Sequence, residues 1–116
     1  MADDSTPVVL RLRGVSGTTY EYHRKEKNTM WMGVAGNYLF ARAEGDAYVL
    51  LFAGQTDDLA QHMASGATLL TEAVETHQAS HVFSHIGQKD LDARVREQRD
   101  LVAAYRPPLN VRYPDR

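Results

Sequence analysis

The sequence predicts an α/β (α+β) fold in which helices pack against a small antiparallel sheet. Two observations lead to this prediction. Segments in which apolar and polar residues alternate occur before residue 55 and again at residues 80–86, which is typical of strands. Apolar residues at helical spacing occur at residues 67–77 and 89–105. A chain of 116 residues can bury one core, so residues 1–116 are expected to form a single domain.

The N-terminal part of the chain is predicted to form a hairpin. Residues 1–7 are polar and are expected to be a flexible tail. Alternation begins at Leu10 and recurs over residues 18–23, with a glycine-containing turn between the two segments, so residues 8–23 indicate a β-hairpin. The hairpin and the charged loop after it occupy residues 8–33.

The centre of the chain is predicted to contain a second strand pair, followed by helices. Residues 38–43 and 47–53 have strand composition, and the Glu-Gly-Asp sequence between them suits a turn. Thr56 can cap a first helix that runs to about residue 65. A second helix and a further strand are expected at residues 67–77 and 80–86.

Residues 89–105 are predicted to form the longest helix. Its apolar positions recur at four-three-four-three spacing and fall on one stripe, which we expect to be buried. The stripe consists of Leu91, Val95, Gln98, Val102 and Tyr105. A polar residue on a buried stripe needs hydrogen-bond partners or water, so Gln98 indicates either a water-filled cleft or the remains of a functional site. Glu97 is rotated from Gln98 by about 100° and is expected to lie off the stripe.

Charges on this helix predict a solvated surface. Asp90 can pair with Arg94, and the same i,i+4 pair recurs two residues further on. Arg99 and Arg106 have no such partner and are candidates for contacts with a phosphate backbone.

Composition excludes some classes of protein and weakens others. The chain has no cysteine, which excludes disulfides and thiolate metal sites. No apolar run approaches the roughly 20 residues that span a membrane, and no secretory signal is visible, so a cytoplasmic location is expected. The net charge of −2 gives no sign of the basic surface of a strong duplex binder.

Several short motifs follow one another along the chain. They are Gly36-Asn37-Tyr38, Phe52-Ala53-Gly54-Gln55-Thr56 with Leu59 and His62, and Gln98-Arg99-Asp100-Leu101-Val102 with Pro107-Pro108-Leu109-Asn110. The order of these motifs resembles that of the GIY-YIG nuclease superfamily. The resemblance covers residues 34–112 and implies a three-stranded antiparallel core sheet flanked by helices. The N-terminal hairpin is then an extension outside this core.

The resemblance also implies a metal-assisted phosphodiester site, onto which four residues map. In the family, a tyrosine acts with water as general base, an arginine contacts the phosphate, and a glutamate holds Mg or Mn. The first tyrosine is present as Tyr38. The second tyrosine is replaced by Phe52, which lacks the hydroxyl, and the arginine by His62, which brings less charge and shorter reach. Gln98 replaces the glutamate and loses the charge that hard cations prefer.

Other positions of the motifs map onto contacts with the substrate. The expected substrate-binding residues are Gly54, Thr56, Arg99 and Asn110. No metal ligand is assigned, and Mg or Mn would be the cofactor only if the site is active. His77, His81 and His85 do not predict a metal site, because His81 and His85 would lie about 13 Å apart on a strand.

Three hypotheses follow from these substitutions, and the sequence leaves the enzyme class open. The first is a degenerate GIY-YIG-like domain that has lost cleavage and keeps a cleft for nucleic acid or another partner. The second is an active Mg- or Mn-dependent endonuclease with a variant site. The third is a self-associating domain, a homo-oligomer in which Tyr20 and Tyr22 of the hairpin dock another chain.

Overall fold

The computed structural model describes residues 8–26, 29–65 and 67–114. The predicted tail at residues 1–7 lies outside the described residues. In chain order the elements are β1 (Val9–Arg13), β2 (Thr19–Arg24), β3 (Gly36–Glu44), β4 (Ala47–Thr56), α1 (Leu59–Ser65), α2 (Ala67–His77), β5 (His81–Ile86), α3 (Leu91–Tyr105) and α4 (Pro108–Arg112).

The described strands form one antiparallel sheet with the order β1-β2-β5-β3-β4. The predicted mixed fold is therefore confirmed, but the predicted three-stranded core is wrong. The hairpin of β1 and β2 is not a separate extension, because β2 pairs with β5 at His23↔Ser84 and Arg24↔Phe83. This pairing joins segments about 60 residues apart in the sequence. The alternation of apolar and polar residues within each segment predicts a strand but does not specify its neighbour in the sheet.

The two faces of the sheet bury different kinds of side chain. One face, here called the aromatic face, packs against α1, α2 and α4. Its buried cluster is Tyr38, Phe40, Leu51, Phe52, Leu59, Leu69, Ala73 and Leu109. The opposite face, the α3 face, carries a second cluster of Tyr22, Leu39, Ala41, Leu50, Ala53, Phe83 and Leu101.

The long helix is rotated relative to the sequence prediction. The buried residues of α3 are Arg94, Glu97, Asp100 and Leu101. The predicted buried stripe is exposed at its ends, with Leu91 54% and Tyr105 42% exposed. The prediction was wrong because three polar residues of the helix find hydrogen-bond partners on the sheet and its loops, and a paired polar group can be buried.

The ends of the helices also differ from the predictions in detail. Thr56 is the last residue of β4, and its hydroxyl accepts a hydrogen bond from Asp58 N. Asp58 supplies the cap of α1, since its side chain accepts from Gln61 N at 3.1 Å. The two prolines at residues 107–108 end α3, and the second prolyl residue begins α4. No helix in the described part of the chain is long and apolar enough to cross a membrane.

Candidate functional site

Three of the four residues predicted to carry chemistry meet on the aromatic face. Tyr38 lies on β3, Phe52 on β4 and His62 on α1. The Tyr38 hydroxyl and His62 Nε2 are 2.7 Å apart and hydrogen-bonded. The ring centroid of Tyr38 lies 5.0 Å from that of His62 and 5.9 Å from that of Phe52. Tyr38 is only 3% exposed and Phe52 is fully buried, so this group belongs to the core.

Gly54 allows the Tyr38 ring to lie across β4. The two residues are direct partners in the register of β3 and β4. A Cβ atom at position 54 would lie 2.4 Å from Tyr38 Cζ and 2.7 Å from Phe52 Cε2. A side chain at Gly54 would therefore displace both rings, which makes this glycine a packing requirement and leaves no room beside it for a substrate.

The fourth residue, Gln98, lies on a different part of the molecule, at the outer edge of β4. Gln98 Nε2 donates to Ala53 O at 3.1 Å. Asn110 Nδ2 donates to the same carbonyl oxygen at 2.9 Å, and Asn110 Oδ1 accepts from Ala53 N at 2.7 Å. Because β4 is the last strand of the sheet, the Asn110 amide takes the position that the backbone of a neighbouring strand would take.

A groove of 520 Å³ runs between α3 and the C-terminal segment at this edge. It is lined by Gln55, Val95, Gln98, Arg99, Val102, Ala103, Asn110 and Pro114. None of the described lining residues carries a carboxylate, and the polar groups are amides and one exposed guanidinium, that of Arg99. Tyr38, Phe52 and His62 are not part of this lining.

The groove does not fit the divalent cation that the resemblance implies. Mg and Mn prefer carboxylate oxygen ligands, and Gln98 and Asn110 offer only neutral amides that already bind Ala53. Elsewhere in the described ranges, no group of three or more histidine, aspartate or glutamate side chains is close enough to hold a metal ion. The donor groups of the groove therefore do not support a metal-assisted step.

A buried acid at the α3 face was missed by the sequence prediction. Glu97 is 5% exposed, whereas Gln98 is only half-buried. Glu97 Oε2 accepts from the Tyr22 hydroxyl at 2.5 Å and lies 2.9 Å from His85 Nδ1. Burial first, and then the Glu97 carboxylate, raise the pKa of Tyr22 well above its ordinary value, so the hydroxyl remains a donor.

Arg94 and Asn37 continue this polar layer towards the groove. Arg94 is 3% exposed, and its guanidinium donates to Gln55 Oε1 and to the carbonyl oxygens of Gln88 and Lys89. Asn37 donates to Arg94 O at 3.0 Å. The predicted solvated pairing of Asp90 with Arg94 is therefore wrong, because Arg94 is buried and bound to neutral oxygens.

Asp100 holds the turn of the N-terminal hairpin against α3. Its carboxylate accepts from Ser16 N at 2.8 Å, from the Ser16 hydroxyl at 2.6 Å and from the Tyr20 hydroxyl at 2.7 Å. The bonds from Ser16, and then the bond from Tyr20, lower the pKa of Asp100. Tyr22 is fully buried and its hydroxyl binds Glu97, so Tyr22 cannot dock another chain; the half-buried Tyr20 binds Asp100, and self-association of the chain stays a prediction.

One sequence signal could have indicated this arrangement. Tyr20 and Tyr22 share one side of β2, and Glu97 and Asp100 share one side of α3. The two tyrosine hydroxyls can therefore donate to the two carboxylates where β2 packs against α3. The sequence alone does not specify this pairing, because the same side chains could also pair with other residues. The comparison of this chain with family models, with curated proteins and with solved structures gave no match.

Proposed function

We propose that this protein is a GIY-YIG-like domain that does not cleave phosphodiesters and binds nucleic acid weakly through the groove between α3 and α4. The observation that carries the proposal is the pair of amides, Gln98 and Asn110, on Ala53 O. In the family pattern the first of these positions holds the metal-binding glutamate. The amide donates a hydrogen bond to the strand, which a carboxylate could not do, and it lacks the charge that would hold the cation.

The position of Tyr38 supports the loss of cleavage. A general base must come within hydrogen-bonding reach of the proton that it removes, directly or through one water. The Tyr38 hydroxyl is buried and bound to His62, and the ring is enclosed by Phe52 and Gly54. Neither His62 nor Tyr38 lines the groove at which a strand of nucleic acid would lie.

The charges around the groove support weak binding of a phosphate backbone. Arg99 lines the groove and is exposed. Its planar guanidinium suits phosphate oxygens. The overall charge of −2 opposes tight binding, so the expected interaction is weak and falls steeply as salt is added.

The test is a titration of fluorescent single-stranded and duplex oligonucleotides, read by anisotropy at several salt concentrations. We expect binding at low salt, and we expect Arg99→Ala to reduce it and to lower the salt slope by about one. Arg96→Ala is the matched control, because Arg96 is an exposed arginine of the same helix that does not line the groove. Equal effects of the two substitutions, or no binding at low salt, would contradict the binding role.

Cleavage is tested separately with plasmid DNA and Mn. We expect no nicking above background by the natural sequence. Nicking that disappears in Tyr38→Phe would overturn the proposed loss of cleavage. Gln98→Glu with His62→Arg should not restore nicking, because the two residues lie on different parts of the molecule.

A further inference from the structure

Arg94 is a buried cation without an anionic partner in the described part of the chain. Only 3% of Arg94 is exposed. Its Nε donates to Gln55 Oε1 at 3.0 Å, and its Nη1 donates to the carbonyl oxygens of Gln88 and Lys89 at 3.1 and 2.9 Å. The Glu97 carboxylate, one turn further along α3, binds β2 and β5 instead. Buried charges are normally paired with an opposite charge, and that of Arg94 has only neutral oxygens around it among the described residues.

Arg94 fixes the orientation of the Gln55 side chain. A guanidinium nitrogen can only donate, so the atom of Gln55 that faces Arg94 must be the carbonyl oxygen. Exchanging the oxygen and nitrogen of the amide would place its NH2 group against the Arg94 N–H group. Gln55 Nε2 is therefore held on the side of the amide away from Arg94 Nε.

Two donor groups of this pair stay open. Gln55 Nε2 and Arg94 Nη2 make no hydrogen bond to a described residue. The described residues contain one buried side-chain nitrogen or oxygen atom without a partner, and that atom is Asn37 Oδ1. Gln55 Nε2 and Arg94 Nη2 are therefore reached by solvent, and they can donate to a group that enters from outside.

Gln55 places one of these donors at the groove between α3 and the C-terminal segment. Gln55 and Arg99 both line this groove. Arg99 is exposed, and its guanidinium makes no hydrogen bond or ion pair with a described residue. The groove thus offers an amide donor and a guanidinium, it has a second guanidinium behind Gln55, and its described lining carries no carboxylate. This combination suits an oxyanion.

We propose that Gln55 binds a phosphate group in the groove and that Arg94 is its positioning residue. Gln55 Nε2 donates to a phosphate oxygen, and Arg94 holds the amide in the donating orientation. A phosphate group has several acceptor oxygens, so it can accept from donors on β4 and on α3. Assignment of this phosphate to a polynucleotide backbone rests on the proposed function, whereas a small phosphorylated molecule would use the same contacts.

The first test exchanges the donor for an acceptor. Gln55→Glu leaves an oxygen facing Arg94 and replaces the NH2 group by a second oxygen. The melting temperature should stay the same or rise, because Arg94 gains a carboxylate partner, whereas oligonucleotide binding at low salt should weaken by about tenfold or more. Gln55→Ala removes the donor without adding charge and should weaken binding by about threefold or more.

Gln61→Glu is the matched control for the added charge. Gln61 is exposed on α1 and does not line the groove. The substitution should weaken binding by less than about twofold, because the charge is remote and screened. Equal losses for Gln55→Glu and Gln61→Glu would overturn the role of Gln55.

The second test separates positioning from direct contact. Arg94→Lys keeps the positive charge and removes the planar group that binds Gln55. It should weaken binding in the natural sequence and have no further effect in Gln55→Ala, because a positioning residue acts through the residue that it orients. Equal losses in both backgrounds would overturn the positioning role. Circular dichroism of each variant establishes that it is folded before binding is interpreted.

The third test uses the natural sequence, so it does not depend on the folding of a variant. In 15N NMR spectra at constant ionic strength, inorganic phosphate should shift the side-chain NH2 resonances of Gln55. Those of Gln78, which is exposed and outside the groove lining, should not move. Acetate at the same concentration should have a smaller effect on Gln55, and an equal effect would overturn the assignment to phosphate.

The outcomes distinguish this inference from the proposed function. Shifts of the Gln55 resonances with an oligonucleotide support a polynucleotide as the source of the phosphate. Shifts with inorganic phosphate and no oligonucleotide binding support a small phosphorylated ligand and refute the proposed function. Oligonucleotide binding that depends on Arg99 but not on Gln55 keeps the proposed function and overturns the inference. No response of Gln55 to either probe also overturns it.

Discussion

The two faces of the same sheet are held to their helices by different physical means. The aromatic face buries mainly apolar side chains, and its hydrogen-bonded pairs include Tyr38 with His62 and Tyr113 with Glu72. The α3 face buries the polar groups of Arg94, Glu97 and Asp100 beneath a single helix. Apolar contacts are non-directional and tolerate rotation of a helix, whereas hydrogen bonds fix which side of the helix faces the sheet.

This difference explains the exposed stripe of α3. Each buried polar residue of the helix has a partner on another element, namely Gln55, Tyr22 and Ser16. Turning the apolar stripe inward would carry these helix residues away from their partners and leave the Tyr22 hydroxyl buried and unpaired, which costs more than an exposed leucine or valine. The hydrogen bonds that hold the polar side of α3 against the sheet therefore leave the ends of its apolar stripe exposed.

The largest expected effect concerns the aromatic face. Phe52→Ala should reduce the free energy of unfolding by about 3–5 kcal/mol, because Phe52 is fully buried against Tyr38 and Phe40 and the change leaves a cavity. Urea denaturation followed by circular dichroism measures the change. Val74→Ala, at an exposed position, should alter stability by less than about 0.5 kcal/mol. A similar small loss for Phe52→Ala would contradict the central place of the aromatic cluster.

A comparison of two adjacent residues of α3 gives the next largest effect. Glu97→Gln should cost about 1–3 kcal/mol, because the substitution removes the charge that strengthens the hydrogen bond from Tyr22 and replaces one of the two carboxylate oxygens near His85 Nδ1 by an NH2 group. Gln98→Ala should cost less than about 1.5 kcal/mol, since Gln98 is half-buried and Asn110 still binds Ala53 O. The same denaturation experiment distinguishes the two. A greater loss for Gln98→Ala would favour the orientation of α3 that the sequence alone predicts.

The smallest effect depends on pH. The pKa of Asp100 is lowered in the folded state by Ser16 and Tyr20, so its carboxylate stabilises the fold above the unfolded value of about 3.9. Asp100→Asn should be less stable than the natural sequence at neutral pH, and the difference should shrink as the pH falls through the folded pKa. Thermal melts from neutral to acidic pH measure this. Asp46→Asn, at an exposed turn position, is the control, and the same pH-dependent difference in both variants would refute the role of Asp100.

Local patterns in the sequence predicted most of the elements, but not how they assemble. Alternation and helical spacing were enough for α2 and for strands β3 to β5 to within a few residues, because both depend on neighbouring side chains. The pairing of β2 with β5 was missed, since it joins distant segments through only two residue pairs. The short helix after Pro107 was missed because a proline pair normally signals the end of a helix.

The candidate site illustrates the same limit. The resemblance predicts that Tyr38, Phe52, His62 and Gln98 share one site. The first three are in contact, whereas Gln98 lies at the outer edge of β4. The burial of Glu97 in place of Gln98 was not predictable from the apolar pattern, because it depends on donors from β2 and β5. Hydrophobic spacing describes what a helix can bury, whereas polar partners determine what it does bury.

The Asn110 amide has a consequence for the solubility of the protein. An unprotected edge strand can recruit strands from other molecules and so begin aggregation. At one margin of the sheet Asn110 occupies the donor and acceptor of Ala53, and at the other margin Arg11 and Arg13 project from β1. A fragment that ends before α4 would lack Asn110 and would expose the edge of β4, which contains Leu50 and Leu51. Strands of other molecules could then pair with this edge.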